Sequence, residues 1–235
     1  NVTRPLPGVK QPKRYPCRME ATVSGITSDI AADCAAAKTA ARALAGASTD
    51  SKNEALAAIA AGLVERSEEI LAANVQDLSD EHAAGLTDAL IDRLTLTAER
   101  IEAIAAGARE VARLDDPVGE EIESRILDNG LELKKIRVPL GVVAVVYEAR
   151  PNVTIDCAVL TIKSGNAILL RGSSYAERTN RALADVVRDG LAKAGLPEDA
   201  VVLSTGGGRE AISDLATQEG VVDLLIPRGG EGLKN

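Results

Sequence analysis

The sequence has no phenylalanine, no tryptophan and only three tyrosines in 235 residues. Its core must therefore be built from Ala, Val, Leu and Ile, and the aromatic platforms that stack on nucleic-acid bases are missing. The formal net charge of -8 also disfavours a polyanionic partner. We therefore expect no nucleic-acid partner, whereas a small phosphorylated ligand would need only a local cationic site.

Metal-binding side chains are equally scarce. The chain has one histidine and three cysteines, at positions 17, 34 and 157, without metal-ligand spacing, so no metal site is predicted. No apolar run approaches the roughly 20 residues of a membrane-spanning helix. Unpaired cysteines and the lack of a secretory pattern favour a cytoplasmic, reducing location.

Composition divides the chain into four segments. Residues 1–18 hold five basic residues, four prolines and no acid, and we interpret them as an unmatched, disordered tail of foreign or upstream origin. A basic tail that contacts an acidic partner is the alternative. Residues 19–116 have helical periodicity. Residues 117–138 predict a β-hairpin, with both Asn129 and Gly130 at positive φ in a tight turn.

Residues 139–235 alternate apolar strands with helices. Continuous rather than alternating apolar runs are typical of a parallel sheet covered on both faces. The fold class predicted is α/β, with a helical N-terminal region and a doubly wound, Rossmann-like sheet. In such sheets the ligand lies beyond the carboxyl ends of the strands.

One strand-to-helix corner, "YEARPN", is rich in polar residues. Pro151 fixes this corner and disfavours a helical conformation at Arg150, and either Asn152 or Thr154 could cap the following helix. Capping does not explain Arg150, Tyr147 or Glu148, so the corner is a candidate site.

Three further corners could bind a nucleotide. "GGGREA" is a loose dinucleotide fingerprint at Gly206, Gly208 and Ala211, whose acidic partner is not cleanly placed because Asp223 lies at a strand start. "PRGGEG" offers backbone N–H groups to an anion. "RGSS" has a guanidinium, two hydroxyls and no acid, which favours a 2′-phosphate and hence NADP.

Several segments together closely resemble the γ-glutamyl phosphate reductases, a branch of the aldehyde dehydrogenase superfamily that acts in proline biosynthesis. The most specific are "YEARPNVT" and "IPRGG", and the resemblance covers about residues 22–235. It implies NADPH-dependent reduction of L-glutamyl 5-phosphate to L-glutamate 5-semialdehyde with release of phosphate. It also implies that residues 139–235 form an incomplete, truncated dinucleotide-binding domain, and that the complete enzyme is a homo-oligomer that uses the hairpin in subunit contacts.

The resemblance implies roles for ten residues. Asn152 would stabilise the oxyanion, and Arg150 would contact an anionic group of the substrate in a pocket shaped by Tyr147 and Glu148. The adenosine 2′-phosphate would meet Arg171, Ser173 and Ser174, and the pyrophosphate would meet Arg228, Gly229 and Gly230. Residues 206–208 would then form only an adenine-side wall.

The family's nucleophilic cysteine belongs to a separate domain for which these 235 residues have no counterpart. Cys157 falls inside a helix, where we expect it to be packed rather than presented, and Cys34 is expected to be a small buried apolar residue. We therefore expect the isolated chain to lack the catalytic thiol and to be inactive. A non-catalytic NADP-binding module and an ordinary Rossmann dehydrogenase that uses "GGGREA" are the alternatives.

Overall fold

The computed structural model describes residues 27–80, 85–205 and 210–229. Five helices come first, and three more alternate with strands. Their bounds are α1 Thr27–Ala45, α2 Thr49–Glu65, α3 Ser67–Ser79, α4 Asp88–Leu94, α5 Ala98–Arg113, α6 Asn152–Lys163, α7 Glu177–Lys193 and α8 Glu210–Ala216. The tail 1–18 and His82 lie outside the described residues.

Six strands form two separate sheets. They are β1 Glu121–Ile126, β2 Glu132–Ile136, β3 Val142–Tyr147, β4 Ala167–Arg171, β5 Val201–Leu203 and β6 Leu224–Arg228. The strands β1 and β2 pair antiparallel, and the other four form a parallel sheet of order β5-β4-β3-β6. The strand order therefore reverses between β3 and β6.

Helices cover both faces of strands β3, β4 and β5, whereas β6, which was expected to be covered as well, is mostly exposed because no helix of the described residues packs closely on it. On one face α6 and α7 pack against β3, β4 and β5, and α2 and α5 pack outside them; α1 covers the other face and contacts α8. Every residue of β3 and β4 is buried, as predicted for a sheet covered on both sides. The predicted α/β class with a doubly wound sheet is confirmed.

Small residues let the helices approach closely in this core without Phe or Trp. Gly190 of α7 lies against Ile59 and Ala55 of α2, where an added Cβ would come within 3.0 Å of the Ile59 nitrogen and 3.3 Å of the Ala55 oxygen. The N-terminal helices and the sheet share one continuous cluster of buried apolar residues. The boundaries of the predicted segments stay predictions.

The hairpin forms where it was predicted, but its turn was predicted wrongly. The Leu127 N–H donates to the Leu131 carbonyl oxygen at 2.8 Å, and this pair closes a loop of three residues, 128–130, rather than the predicted two. Only Gly130 has positive φ, at 83°, and Asn129 instead accepts a bond from the Leu131 N–H. A three-residue loop with glycine in its left-handed position satisfies the twist of the strands.

Within the described part of the chain, none of the helices combines the length and apolar character that crossing a membrane requires.

Candidate functional site at the reversal point of the sheet

The candidate site lies where the strand order reverses. Tyr147 ends β3 and is the register partner of Arg228, which ends β6. The "YEARPN" corner and the Arg228–Gly229 corner therefore meet at the carboxyl edge, where open α/β sheets leave a crevice for ligands.

Helix α6 begins at this crevice without the side-chain cap that the sequence predicted. Pro151 occupies the N-cap position with helical φ and ψ, and no side chain caps the helix. Asn152 is the first helical residue, and the Thr154 hydroxyl is engaged elsewhere, so the predicted capping role is wrong for both. The backbone closes the corner instead, since the N–H groups of Val153 and Thr154 bond back to Arg150 and Pro151.

The Asn152 amide is held by a residue that sequence reasoning missed. Its Nδ2 donates to the Asp156 carboxylate at 2.9 Å, one turn along α6. Burial raises the pKa of Asp156, and the bond from Asn152 and the charge of Arg228 only partly oppose this. The amide has two N–H donors, so one remains to bind a developing negative charge.

Tyr147 does not face open space. It is 3% exposed, and its hydroxyl lies 2.7 Å from the Thr154 hydroxyl, which in turn donates to Asn180 at 3.0 Å. Desolvation raises the pKa of Tyr147, so it is a neutral hydrogen-bonding group. At Gly172 an added Cβ would lie 3.1 Å from its ring. Tyr147 therefore lies between the two corners: its hydroxyl reaches Thr154, just after "YEARPN", and its ring lies beside Gly172 of "RGSS".

Arg228 brings β6 and α6 together. Its positive charge lies close enough to Asp156 and Cys157 to oppose the rise in both pKa values. For the half-buried Cys157 thiol, desolvation outweighs this help and the pKa is raised. A thiol with a raised pKa is a poor nucleophile, which agrees with the expectation that Cys157 is packed. Gly229 is partly buried beside Arg228, and Gly230 lies outside the described residues.

The "RGSS" corner does not present its three polar side chains together. Arg171 is 8% exposed, with Nη1 3.5 Å from the Ser204 carbonyl oxygen, and burial lowers its pKa. The Ser173 hydroxyl accepts from the Tyr175 N–H at 3.3 Å. Ser174 is exposed and lines a larger cavity together with Arg178 and Arg181, two cations that the sequence reasoning did not single out.

Asp223 is at the opposite edge of the sheet from the site. Its carboxylate accepts from the Val142 N–H at 2.8 Å and from Lys38 at 2.7 Å. Val142 begins β3, so Asp223 cannot hold a ribose at the carboxyl edge. Residues 206–209 of the nominal fingerprint lie outside the described residues.

Glu148 and Arg150 follow β3 and are both partly buried. Arg150 and Asn152 share a cavity of about 300 Å³ with the α4–α5 connection. The roles predicted for these site residues stay predictions.

With this geometry in view, the class of protein follows from comparison with known sequences. The sequence profile described as the aldehyde dehydrogenase family matches residues 17–226. The chain belongs to the aldehyde dehydrogenase family.

Three similar proteins within that family have the same name, γ-glutamyl phosphate reductase. A curated γ-glutamyl phosphate reductase of Thermobifida fusca (strain YX) is 53% identical over 190 residues, which are 81% of this chain and 46% of the relative. The crystal structure of the γ-glutamyl phosphate reductase of Thermotoga maritima has a TM-score of 0.84 at 37% identity, over 87% of this chain and 49% of that one. The enzyme of that name from Saccharomyces cerevisiae has a TM-score of 0.79 at 33% identity, over 89% and 53%. The chain thus spans about half the length of these relatives.

Proposed function

We propose that the chain forms the cofactor-binding part, and one wall of the substrate site, of an NADPH-dependent γ-glutamyl phosphate reductase. The observation that supports the proposal is that the Asn152–Asp156 pair and the Arg228 charge lie together where the strand order reverses, in a chain 53% identical to a protein of that name. The reaction would reduce L-glutamyl 5-phosphate to L-glutamate 5-semialdehyde and release phosphate, as part of proline biosynthesis in the cytoplasm.

The chain's own residues would bind and polarise the acyl phosphate. The free N–H of the Asn152 amide would donate to the acyl oxygen as negative charge builds on it, and the bond to Asp156 would hold the amide in place. Arg150 would contact an anionic group of the substrate beside the pocket shaped by Tyr147 and Glu148.

A nicotinamide dinucleotide would lie at the carboxyl edge. Arg228 and the glycines 229 and 230 would hold the pyrophosphate, and Arg171, Ser173 and Ser174 the 2′-phosphate of the adenosine. When bound, NADPH supplies the hydride that reduces the acyl group.

One observation works against NADPH. Glu177 lies close enough to Arg171 to oppose the lowering of its pKa, and a carboxylate at this corner would favour the ribose hydroxyls of NADH. A titration with both cofactors therefore tests the choice between them.

We propose that the nucleophilic thiol is neither Cys34 nor Cys157, the two cysteines among the described residues. Cys34 is fully buried and Cys157 has a raised pKa, and neither is suited to attack an acyl carbon. The same two observations favour the second candidate, a non-catalytic NADP-binding module. Under both proposals the isolated chain binds the cofactor and does not turn over substrate.

A fluorescence titration of the chain with NADPH and with NADH tests the cofactor proposal. We expect NADPH to bind at least tenfold more tightly, and Arg171→Gln to reduce that preference, whereas Arg109→Gln on the outer face of α5 leaves it unchanged. Equal affinity, or a preference for NADH, would contradict the 2′-phosphate site.

Turnover separates the reductase from the binding module. A reductase extended beyond residue 235 oxidises NADPH in the presence of L-glutamyl 5-phosphate, whereas a binding module does not. Steady-state NADPH oxidation that survives replacement of every cysteine would contradict a thiol mechanism.

The hairpin is the proposed subunit contact of the complete enzyme. Ile126, Leu131 and Leu133 are exposed there, and a two-stranded sheet is marginally stable by itself. Sedimentation of the complete enzyme with and without Ile126→Asp tests this proposal; an unchanged oligomer would contradict it.

A further inference from the structure

The cavity beside Asn152 has a chemical character of its own. It lies between the α4–α5 connection and the first residue of α6 and has a volume of about 300 Å³. Its lining includes the apolar residues Leu96 and Ile104 and three arginines, Arg93, Arg100 and Arg150. The one carboxylate in its lining is Asp92.

Among the described residues, only one of the three guanidinium groups has hydrogen-bond partners. Arg100 donates to the Asp92 carboxylate at 2.7 Å and to the backbone oxygens of Asp92 and Thr95 at 2.5 and 2.7 Å. Within the part of the chain that the structure describes, the guanidinium groups of Arg93 and Arg150 make no hydrogen bond or ion pair. Two uncommitted cations therefore border one small cavity, although 57 residues separate them in the sequence.

We propose that this cavity binds the amino-acid end of the substrate, with Arg93 and Arg150 on its α-carboxylate. The inference rests on the proposed function and assigns Arg93, which no sequence motif pointed to, as a specificity-determining residue. A guanidinium presents paired N–H donors that match a carboxylate. The methylene chain would lie on Leu96 and Ile104, so that the reacting carbonyl reaches the Asn152 amide, which also lines the cavity.

The proposed binding mode gives the two cations a function, namely selectivity for substrates with an α-carboxylate. Substrates that have the same reacting group but no α-carboxylate would leave both guanidinium groups without a partner; Arg150 is half-buried and Arg93 is exposed. A site built to pair a charged group rejects analogues that lack it far more strongly than a site that only measures shape.

Two stable phosphonates isolate the contribution of the carboxylate. L-2-Amino-5-phosphonopentanoate carries an α-amino acid end and a phosphonate, and 4-aminobutylphosphonate is the same molecule without the carboxylate. Each is titrated into the ¹⁵N-labelled 235-residue chain, and the backbone amide signals of Leu96, Arg150 and Asn152 are followed. We expect the first ligand to bind about ten- to a hundredfold more tightly, the range for a charge-assisted pair.

Matched variants then assign the preference. Arg93→Gln should reduce the ratio of the two dissociation constants to below about threefold, by loss of one charge-assisted pair. Arg109→Gln removes a guanidinium that is paired with Glu102 on the exposed face of α5, and should leave the ratio unchanged. If Arg93→Gln discriminates as the wild type does, or if the wild type fails to bind or to discriminate, the proposal is overturned.

The two proposals fail in different ways. If the chain binds NADPH but does not distinguish the two phosphonates, the cofactor proposal stands and the proposed amino-acid subsite is wrong. A chain that selects the α-carboxylate but binds no NADPH retains the subsite and loses the reductase assignment.

Discussion

At the scale of single residues, burial decides what the thiols can do. Cys34 was predicted to be a small buried apolar residue from its place in an alanine-rich helix, and it is fully buried. Cys157 was predicted to be packed, and it is half-buried with a raised pKa. These predictions succeed because a small apolar side chain within a helix that packs on the core is readily buried there. The bond between Asn152 and Asp156 was not predicted, because a spacing of four residues permits such a bond without requiring it.

The pKa of Cys34 gives a prediction for stability against pH. Desolvation, helped by the charge of Asp33, raises this pKa from 9.0 to about 11. The thiol of the unfolded chain therefore ionises at a lower pH than the thiol of the folded chain. The resulting contribution to the free energy of unfolding is fully present below pH 9 and is lost as pH rises towards 11. At about pH 10 we expect the wild type to have lost roughly 1.4 kcal/mol more than Cys34→Ala, relative to about pH 8.

Urea unfolding at both pH values measures this difference. Because Cys34→Ala shares every other titrating group with the wild type, it removes only the thiol's contribution. Identical losses in the two proteins would show that the Cys34 thiol titrates normally in the folded chain.

At the scale of elements, strands and helices were predicted better than their ends. Helix α6 follows the "YEARPN" corner as expected for alternating strands and helices; it runs from Asn152 to Lys163, and Gly165 follows its end at φ 74°. The N-cap of α6 and the hairpin turn were wrong because several local solutions satisfy the same backbone groups. A backbone bond can replace a side-chain cap, and a three-residue loop can replace a two-residue turn.

Helix α7 begins on a carboxylate from another element. Asp77 of α3 is 2% exposed and accepts from the Thr179 N–H at 2.8 Å, the Thr179 hydroxyl at 2.6 Å and the Arg178 N–H at 3.2 Å. We predict that Asp77→Asn lowers the free energy of unfolding by about 2–4 kcal/mol, because an amide N–H would face these donors.

Asp80→Asn is the matched control. Asp80 pairs with the same Arg178 side chain at 2.8 Å but is half exposed, so its loss should cost less than about 1 kcal/mol. Urea midpoints at constant slope compare the two variants. Equal losses of unfolding free energy would mean that Asp77 contributes no more than an exposed ion pair does, and that its bonds to the start of α7 add nothing to stability.

At the scale of the whole molecule, the sequence predicted the architecture but not the long-range polar contacts. Alternating strands and helices with fully apolar strands indicate a doubly wound sheet, and connection rules limit its topology. No local pattern indicates that Lys38 pairs with Asp223 or that Arg93 and Arg150 share a cavity. Such contacts depend on the packing of distant segments, which a single sequence read locally does not specify.

A buried polar cluster joins three distant parts of the fold. Lys52 of α2 is 1% exposed and pairs at 2.6 Å with Asp116, which follows α5 and also accepts from Thr49 and from the Val118 N–H. Lys163, at the end of α6, donates to Asn53 and to a carbonyl oxygen of α5. The cluster thereby ties α2 and α6 to the segment that enters the hairpin.

Breaking the pair from one side should destabilise the molecule more than replacing both partners. Asp116→Asn leaves the buried Lys52 ammonium without its counter-charge, for which we expect a loss of about 3–5 kcal/mol at neutral pH. Burial alone would raise the pKa of Asp116, but its hydrogen bonds and the charge of Lys52 outweigh this and lower the pKa below the ordinary 3.8. The contribution of Asp116 to stability is therefore present above that pH and is lost as pH falls further. The Asp116→Asn variant should therefore be less sensitive to acid than the wild type.

The double variant Lys52→Met, Asp116→Asn no longer has an unpaired charge, so urea unfolding should show that part of the lost stability returns. A double variant as unstable as Asp116→Asn alone would show that the cost arises from the polar contacts of Asp116 with Thr49 and Val118, and not from the stranded ammonium.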